Sequence, residues 1–191
     1  MLRWLIRRRL RKFETLLDYD ARYLHEMLDI SWRGFMKFSA VARLEDHREN
    51  LPLNAVYAAR IVAAMSGDCG PCVQLNVRMA RCDGVETPIV RAILEGDELA
   101  MGPDAALAFR FAEALLARDA QQLDGLREQV LTRWGRRGVL ALGTTIAAGR
   151  IFPTVKYAMG HGKTCERIEL DGVFLAVNRR GAYDAREFFD P

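Results

Sequence analysis

The sequence predicts an all-α helical bundle with a basic helical extension at its N-terminus and a small β-hairpin at its C-terminus. Three observations carry this. Apolar residues recur at three- and four-residue steps over most of the chain, the period of one buried helix face. The segments so defined are separated by Gly, Pro, Asp and Ser, the residues that stop and start helices. The pattern changes only in the tail, where Arg167-Ile168-Glu169-Leu170 and Val173-Phe174-Leu175-Ala176 flank Asp171-Gly172, a two-residue hairpin signal.

Residues 1–29 read as one amphipathic helix, with Leu2, Ile6, Leu10, Phe13 and Leu17 on one stripe and Arg3, Arg7, Arg8, Arg11 and Lys12 beside it. A second helix spans 31–44, with Ser31 as its N-cap, and Pro52 marks a boundary. The stretch 53–65 is helical and rich in alanine. It stops at Ser66-Gly67-Asp68, where Gly67 suits a helix end and Asp68 the next N-cap. The following helix carries Cys69, Cys72, Leu75, Asn76 and Met79. Thr87-Pro88 opens a short helix, with Thr87 as N-cap, and Gly102-Pro103-Asp104 opens another over 105–118. Helices over 121–134 and 139–159 complete the bundle, with a kink expected at Pro153. The organisation is thus a basic extension over 1–50, a helical domain over 51–160 and a tail over 161–191.

Half of the 191 residues are hydrophobic, which supports a packed core and excludes a disordered chain. The net charge of +3 is too small to indicate nucleic acid, and no base-reading module appears. No apolar run approaches the roughly 20 residues of a membrane span. The arginines follow the first apolar residues, an order unlike an export signal. The expected location is the cytoplasm. Trp4, Leu2, Leu5 and Ile6 beside clustered arginines make residues 1–13 a candidate for peripheral contact with an anionic membrane, against the plainer reading of a packed stripe under a solvated face.

Chemistry concentrates in Asp68-Cys69-Gly70-Pro71-Cys72. Two thiols at this spacing can close a disulfide. A helix start offers unpaired N–H groups and a partial positive charge, which favour thiolate. The plain alternative is a pair of small buried residues. A third reading joins His161 and Cys165, four residues apart, to Cys69 and Cys72 as a Cys₃His zinc set. Cys82 reads as a core or helix-end thiol, and Cys165 as a buried spectator or third redox participant.

A helix, a Gly-containing turn and a C-x-x-C opening the next helix resemble the carboxymuconolactone decarboxylase and AhpD-like alkylhydroperoxidase superfamily. The resemblance is strongest over 52–119. It includes Ala-Ile-Leu-Glu-Gly-Asp at 92–97 and Ala-Leu-Ala-Phe-Arg-Phe-Ala-Glu-Ala-Leu at 106–115. It implies an AhpD-like bundle, a homo-oligomer and an antioxidant type of thiol chemistry on a peroxide or disulfide substrate, with a thiol electron donor and no further cofactor. In the family's peroxidases a glutamate one helix earlier and a histidine four residues after the second cysteine relay protons. Here those places hold Tyr57 and Asn76.

The departure has chemical weight. Thiolate attack on a peroxide needs a base for the thiol and an acid for the leaving oxygen. Asn76 cannot take a proton, and Tyr57, with a reference pKa of about 10, is a poor base. The expectation is a thiol–disulfide oxidoreductase acting through Cys69 and Cys72, with Asn76 and Tyr57 as polar neighbours. The tetrapeptide is also that of thioredoxin-type enzymes, but their strand–helix alternation is missing. Helix-start physics makes Cys69 the better thiolate, whereas the resemblance makes Cys72 the attacking residue, so the order stays open. Competing expectations are a non-catalytic binding protein of the same fold, a membrane-surface protein, and the family's decarboxylase chemistry.

Overall fold

A helix apolar on every face needs neighbours on every face, and α5 (Leu53–Ser66) has them. Residues Ala55 through Ala64 are all buried, the signature of a central helix. The computed structural model describes residues 2–164 and 167–177. Within them α5 packs against α6 (Gly70–Cys82), α7 (Thr87–Glu95), α9 (Pro103–Ala117) and α10 (Ala120–Ala158). Alanines on both partners let α5 and α9 come close: Ala55, Ala58, Ala59 and Ala63 on one, Ala105, Ala108 and Ala112 on the other. Between them Tyr57, Ile61, Ile93, Leu94, Leu142 and Ile146 fill the main core, each worth about 1.5–3 kcal/mol of burial.

The remaining elements wrap this core. Short helix α8 (Glu98–Met101) bridges α7 and α9, capped by Asp97, whose carboxylate accepts from the Ala100 N–H. The tail forms β1 (Arg167–Leu170) and β2 (Val173–Ala176), antiparallel, with Leu170 opposite Val173. Asp171 and Gly172 have φ of 50° and 80°, the type I′ signature that the dipeptide announces. Gln74 of α6 holds β1 by two backbone bonds of 2.8 Å, one to the Glu169 carbonyl and one from its N–H.

The N-terminal region departs from its expected form. It is not one helix but α1 (Leu2–Leu17) and α2 (Arg22–Ile30), because Asp18 takes a left-handed φ of 42°. The Glu14 side chain accepts from the Ala21 N–H across that turn. Likewise 31–44 divides into α3 (Trp32–Ser39) and α4 (Ala42–Glu45), with Ser31 capping α3 as expected. The extension folds back on α6 through a small second core of Leu17, Tyr19, Ala21 and Tyr23. Arg78 of α6 fixes it by donating to the Leu17 carbonyl (2.8 Å) and the Asp18 carboxylate (2.7 Å).

Two further expectations are corrected. Asp68 is not an N-cap: its φ of 44° places it in the turn, and Cys69 caps α6. Glu86, not Thr87, precedes α7, and Thr87 instead donates to Asp171 in the hairpin. Helix α10 is interrupted at Gly135 (φ 69°, ψ −173°), at the junction expected between the helices over 121–134 and 139–159, and Pro153 sits inside the second helical stretch. Helix α10 is also long and apolar enough to cross a membrane by length and composition, which reading the runs in the sequence did not reveal. Of its apolar window, 44% is buried inside the fold.

Where α5 turns into α6, Gly67 lies against Pro153 of α10. A Cβ at Gly67 would sit 2.7 Å from the Pro153 Cβ. Gly67→Ala is therefore expected to cost about 1–3 kcal/mol through overpacking, read as a lowered urea midpoint. An unchanged midpoint would show that this approach is not tight.

Candidate functional site

The turn that ends α5 delivers Cys69 and Cys72 to the buried start of α6, where they form a disulfide with Cα atoms 5.2 Å apart. Cys69 is wholly enclosed and Cys72 is 4% exposed. The C-terminal part of α10 holds this turn from outside. The Tyr157 hydroxyl donates to the Asp68 carbonyl (2.8 Å), and the Lys163 carbonyl accepts from the Gly70 N–H (3.0 Å).

That last bond changes the electrostatics expected of the helix start. The Gly70 N–H is taken by Lys163, Pro71 has none, and the Cys72 N–H donates to the Cys69 carbonyl (2.9 Å). No side chain caps the helix. The donors that would have stabilised a thiolate directly are used up, which leaves the aligned helix dipole as the local source of positive potential.

The two residues at the relay places are separated by the fold. Asn76 is buried on the Cys72 side of α6, where its amide donates to the Cys72 carbonyl (2.9 Å). Tyr57 lines a different cavity, together with Arg60, Asp46 and Asp83. Its hydroxyl donates to the Asp83 carboxylate (2.5 Å), and Arg60 stacks on its ring. Burial, and then the bond to Asp83, push the Tyr57 phenol far above its ordinary range. Tyr57 is a structural donor here, not a base.

What Cys72 and Asn76 do face is an apolar cavity of about 470 Å³. Its far wall is the N-terminal extension: Leu10 and Phe13 of α1, Leu24 of α2, Phe35 and Phe38 of α3. Leu75, Met79 and Phe152 complete the inner side. Sequence reasoning missed this. The only signal was the aromatic content of 13–38, which a packed stripe explains equally well.

Behind the cavity Lys156 is 2% exposed, with its ammonium 4.5 Å from the Tyr19 ring centre and 5.2 Å from that of Tyr23. These cation–π contacts tie α10 to the extension. Burial holds Lys156 down to about 8, opposed by Asp20, and pushes Tyr19 up to about 12.

The other candidates lie apart. His161 contacts Glu26 (2.6 Å) and His25 contacts Glu14 (3.2 Å). Cys82 ends α6 and is exposed, not in the core. Cys165 falls outside the described residues. No cluster of metal-ligating side chains occurs among the described residues, and the Cys69 and Cys72 sulfurs are bonded to each other. The chain matches no family model, no curated protein and no solved structure.

Because the unfolded chain keeps the Lys156 proton to about 10.5 and the folded chain only to about 8, folding releases that proton between these values. Stability should rise with pH across that window. Tyr19 opposes this only above about 10. Urea midpoints measured across this window are expected to climb in the wild-type chain and to stay flatter in Lys156→Met. Parallel profiles would refute a charged, desolvated Lys156.

Proposed function

We propose that the protein is a thiol-dependent oxidoreductase of AhpD-like type that works by thiol–disulfide exchange at Cys69 and Cys72. The observation that carries the reading is the asymmetry of the pair. Cys72 lines a cavity, while Cys69 is sealed at the helix start. An attacking thiol needs access to one sulfur, and the other must leave as a thiolate. Cys72 is then the attacked sulfur and Cys69 the leaving one, with the α6 dipole stabilising its charge.

In the reducing direction a donor thiolate attacks Cys72 Sγ. The donor–Cys72 bond forms, the Cys69–Cys72 bond breaks, and the electron pair leaves on Cys69, which takes a proton from water. A second donor thiolate attacks the donor sulfur of the mixed disulfide and frees Cys72. Two donor thiols become one disulfide, and the pair becomes a dithiol. The reverse sequence reduces a disulfide substrate.

Exchange is favoured over peroxide reduction because of the neighbours. Cleaving an O–O bond calls for a proton at the leaving oxygen. Asn76 offers an amide already bonded to the backbone, and Tyr57 is committed to Asp83. The resemblance of the helix–turn–C-x-x-C pattern supports the fold reading, and a helical bundle agrees with it.

The test is trapping. After reaction with bis(2-hydroxyethyl) disulfide, a Cys69→Ser chain is expected to carry the adduct at Cys72, located by peptide mass. A Cys72→Ser chain should label at Cys69 at least about tenfold more slowly, since its thiol is enclosed. Tyr57→Phe should leave the labelling rate unchanged. Equal rates at the two cysteines would defeat the assignment of roles, and labelling at neither would defeat the redox reading.

A further inference from the structure

The cavity in front of Cys72 is larger than disulfide exchange requires and differs in character from the rest of the surface. At about 470 Å³ it falls within the range of sites that hold drug-sized ligands (about 300–1,000 Å³). Its walls are aromatic and aliphatic, contributed by α1, α2 and α3 on one side and by α6 and α10 on the other. It opens to solvent where the exposed residues Arg9, Met36 and Ser39 form its rim and closes at buried Cys72 and Asn76.

Among the described residues the one charged side chain that lines the cavity is positive. Arg9 stands at the rim, and among the described residues no carboxylate pairs with it. In the same extension Arg7 pairs with Asp29 and Arg22 with Asp20, while Arg8 lies over the Trp4 ring. Lys156, with Asp20 acting on it, lies behind the Tyr19 and Tyr23 rings that line the wall. No acidic side chain lines the cavity among the described residues.

An apolar cavity with a cation at its mouth suits one kind of ligand. We propose that the space between the N-terminal extension and α6 binds a single-chain anionic amphiphile, a medium-chain carboxylate, with its head at Arg9 and its chain running in toward Leu75 and Cys72. The chain is held by burial against Phe13, Phe38 and Phe152, and the head by an ion pair at the solvent edge. The extension is on this view a ligand-binding roof rather than an appendage. Because Cys72 closes the inner end, an occupied cavity also blocks the approach of a thiol to the disulfide. The binding stands apart from the proposed exchange chemistry, since it is read without any turnover.

Calorimetric titration of the full chain with octanoate, decanoate and 1-decanol tests it. Decanoate is expected to bind at one site, about tenfold tighter than octanoate for the two extra methylenes. Arg9→Gln should weaken decanoate about threefold to fivefold and leave decanol unchanged. Leu75→Trp, which fills the slot, should abolish binding of both, with the helical circular dichroism signal retained. Arg9 is exposed, so its variant reports on the head group even if the Leu75 variant misfolds. Absence of saturable decanoate binding, an affinity indifferent to chain length, or an Arg9→Gln effect equal for acid and alcohol would each overturn the proposal.

Discussion

The close approach of Gly67 to Pro153 sets where the disulfide sits, because it brings the α5–α6 turn under the C-terminal part of α10. Only a residue without a Cβ lets the two backbones come this near. Once they do, the Tyr157 hydroxyl reaches the Asp68 carbonyl, and the Lys163 carbonyl reaches the Gly70 N–H. A second glycine serves the same clamp: a Cβ at Gly162 would strike the Tyr157 ring. Short-range sterics thus fix a turn that local propensity alone would leave loose, and the first residues of α6 inherit its geometry.

Helix α6 is the member on which the separate parts converge. Its first turn holds the disulfide, Gln74 grips β1, Arg78 grips the extension, and Leu75 with Met79 floors the cavity. Gln74 and Arg78 stand one turn apart on one face of this helix and Leu75 and Met79 on the next, so a change at the thiols, the hairpin or the roof meets the same element. The extension is joined to it by a small apolar core and a few charged contacts, and the central bundle by a continuous buried cluster. Apolar burial per residue is lower at the roof, and so is the free energy holding it.

Much of the fold could be read from the residues. The alanine-rich run at 53–65 announced a helix, Ser31 the cap of α3, and Asp171-Gly172 the turn of the hairpin. The misreadings were at junctions, where competing local signals are close in energy. Asp18 and Asp68 each adopt a left-handed conformation that aspartate tolerates, so one ends a helix read as continuous and the other is not the cap it resembles. The gap left between the helices over 121–134 and 139–159 falls at Gly135, where the helix breaks. Of the candidate site, the thiol pair was legible from its spacing. The separation of Tyr57 from Cys72 was not, and neither was the roof, because both depend on which faces meet across helices distant in sequence.

The proposed chemistry follows from an enclosed pair with one sulfur facing a cavity. Such a disulfide either cycles while the fold persists or serves only as a staple that opens when the fold opens. These differ in what couples to reduction. The direct measurement is equilibration of the native chain in a dithiothreitol redox series, with the state of Cys69 and Cys72 read by peptide mass and the fold by circular dichroism. A cycling pair gives a reversible two-electron transition, about 30 mV per tenfold change in ratio, with the helical signal intact throughout. Reduction that occurs only together with loss of the helical signal would contradict it.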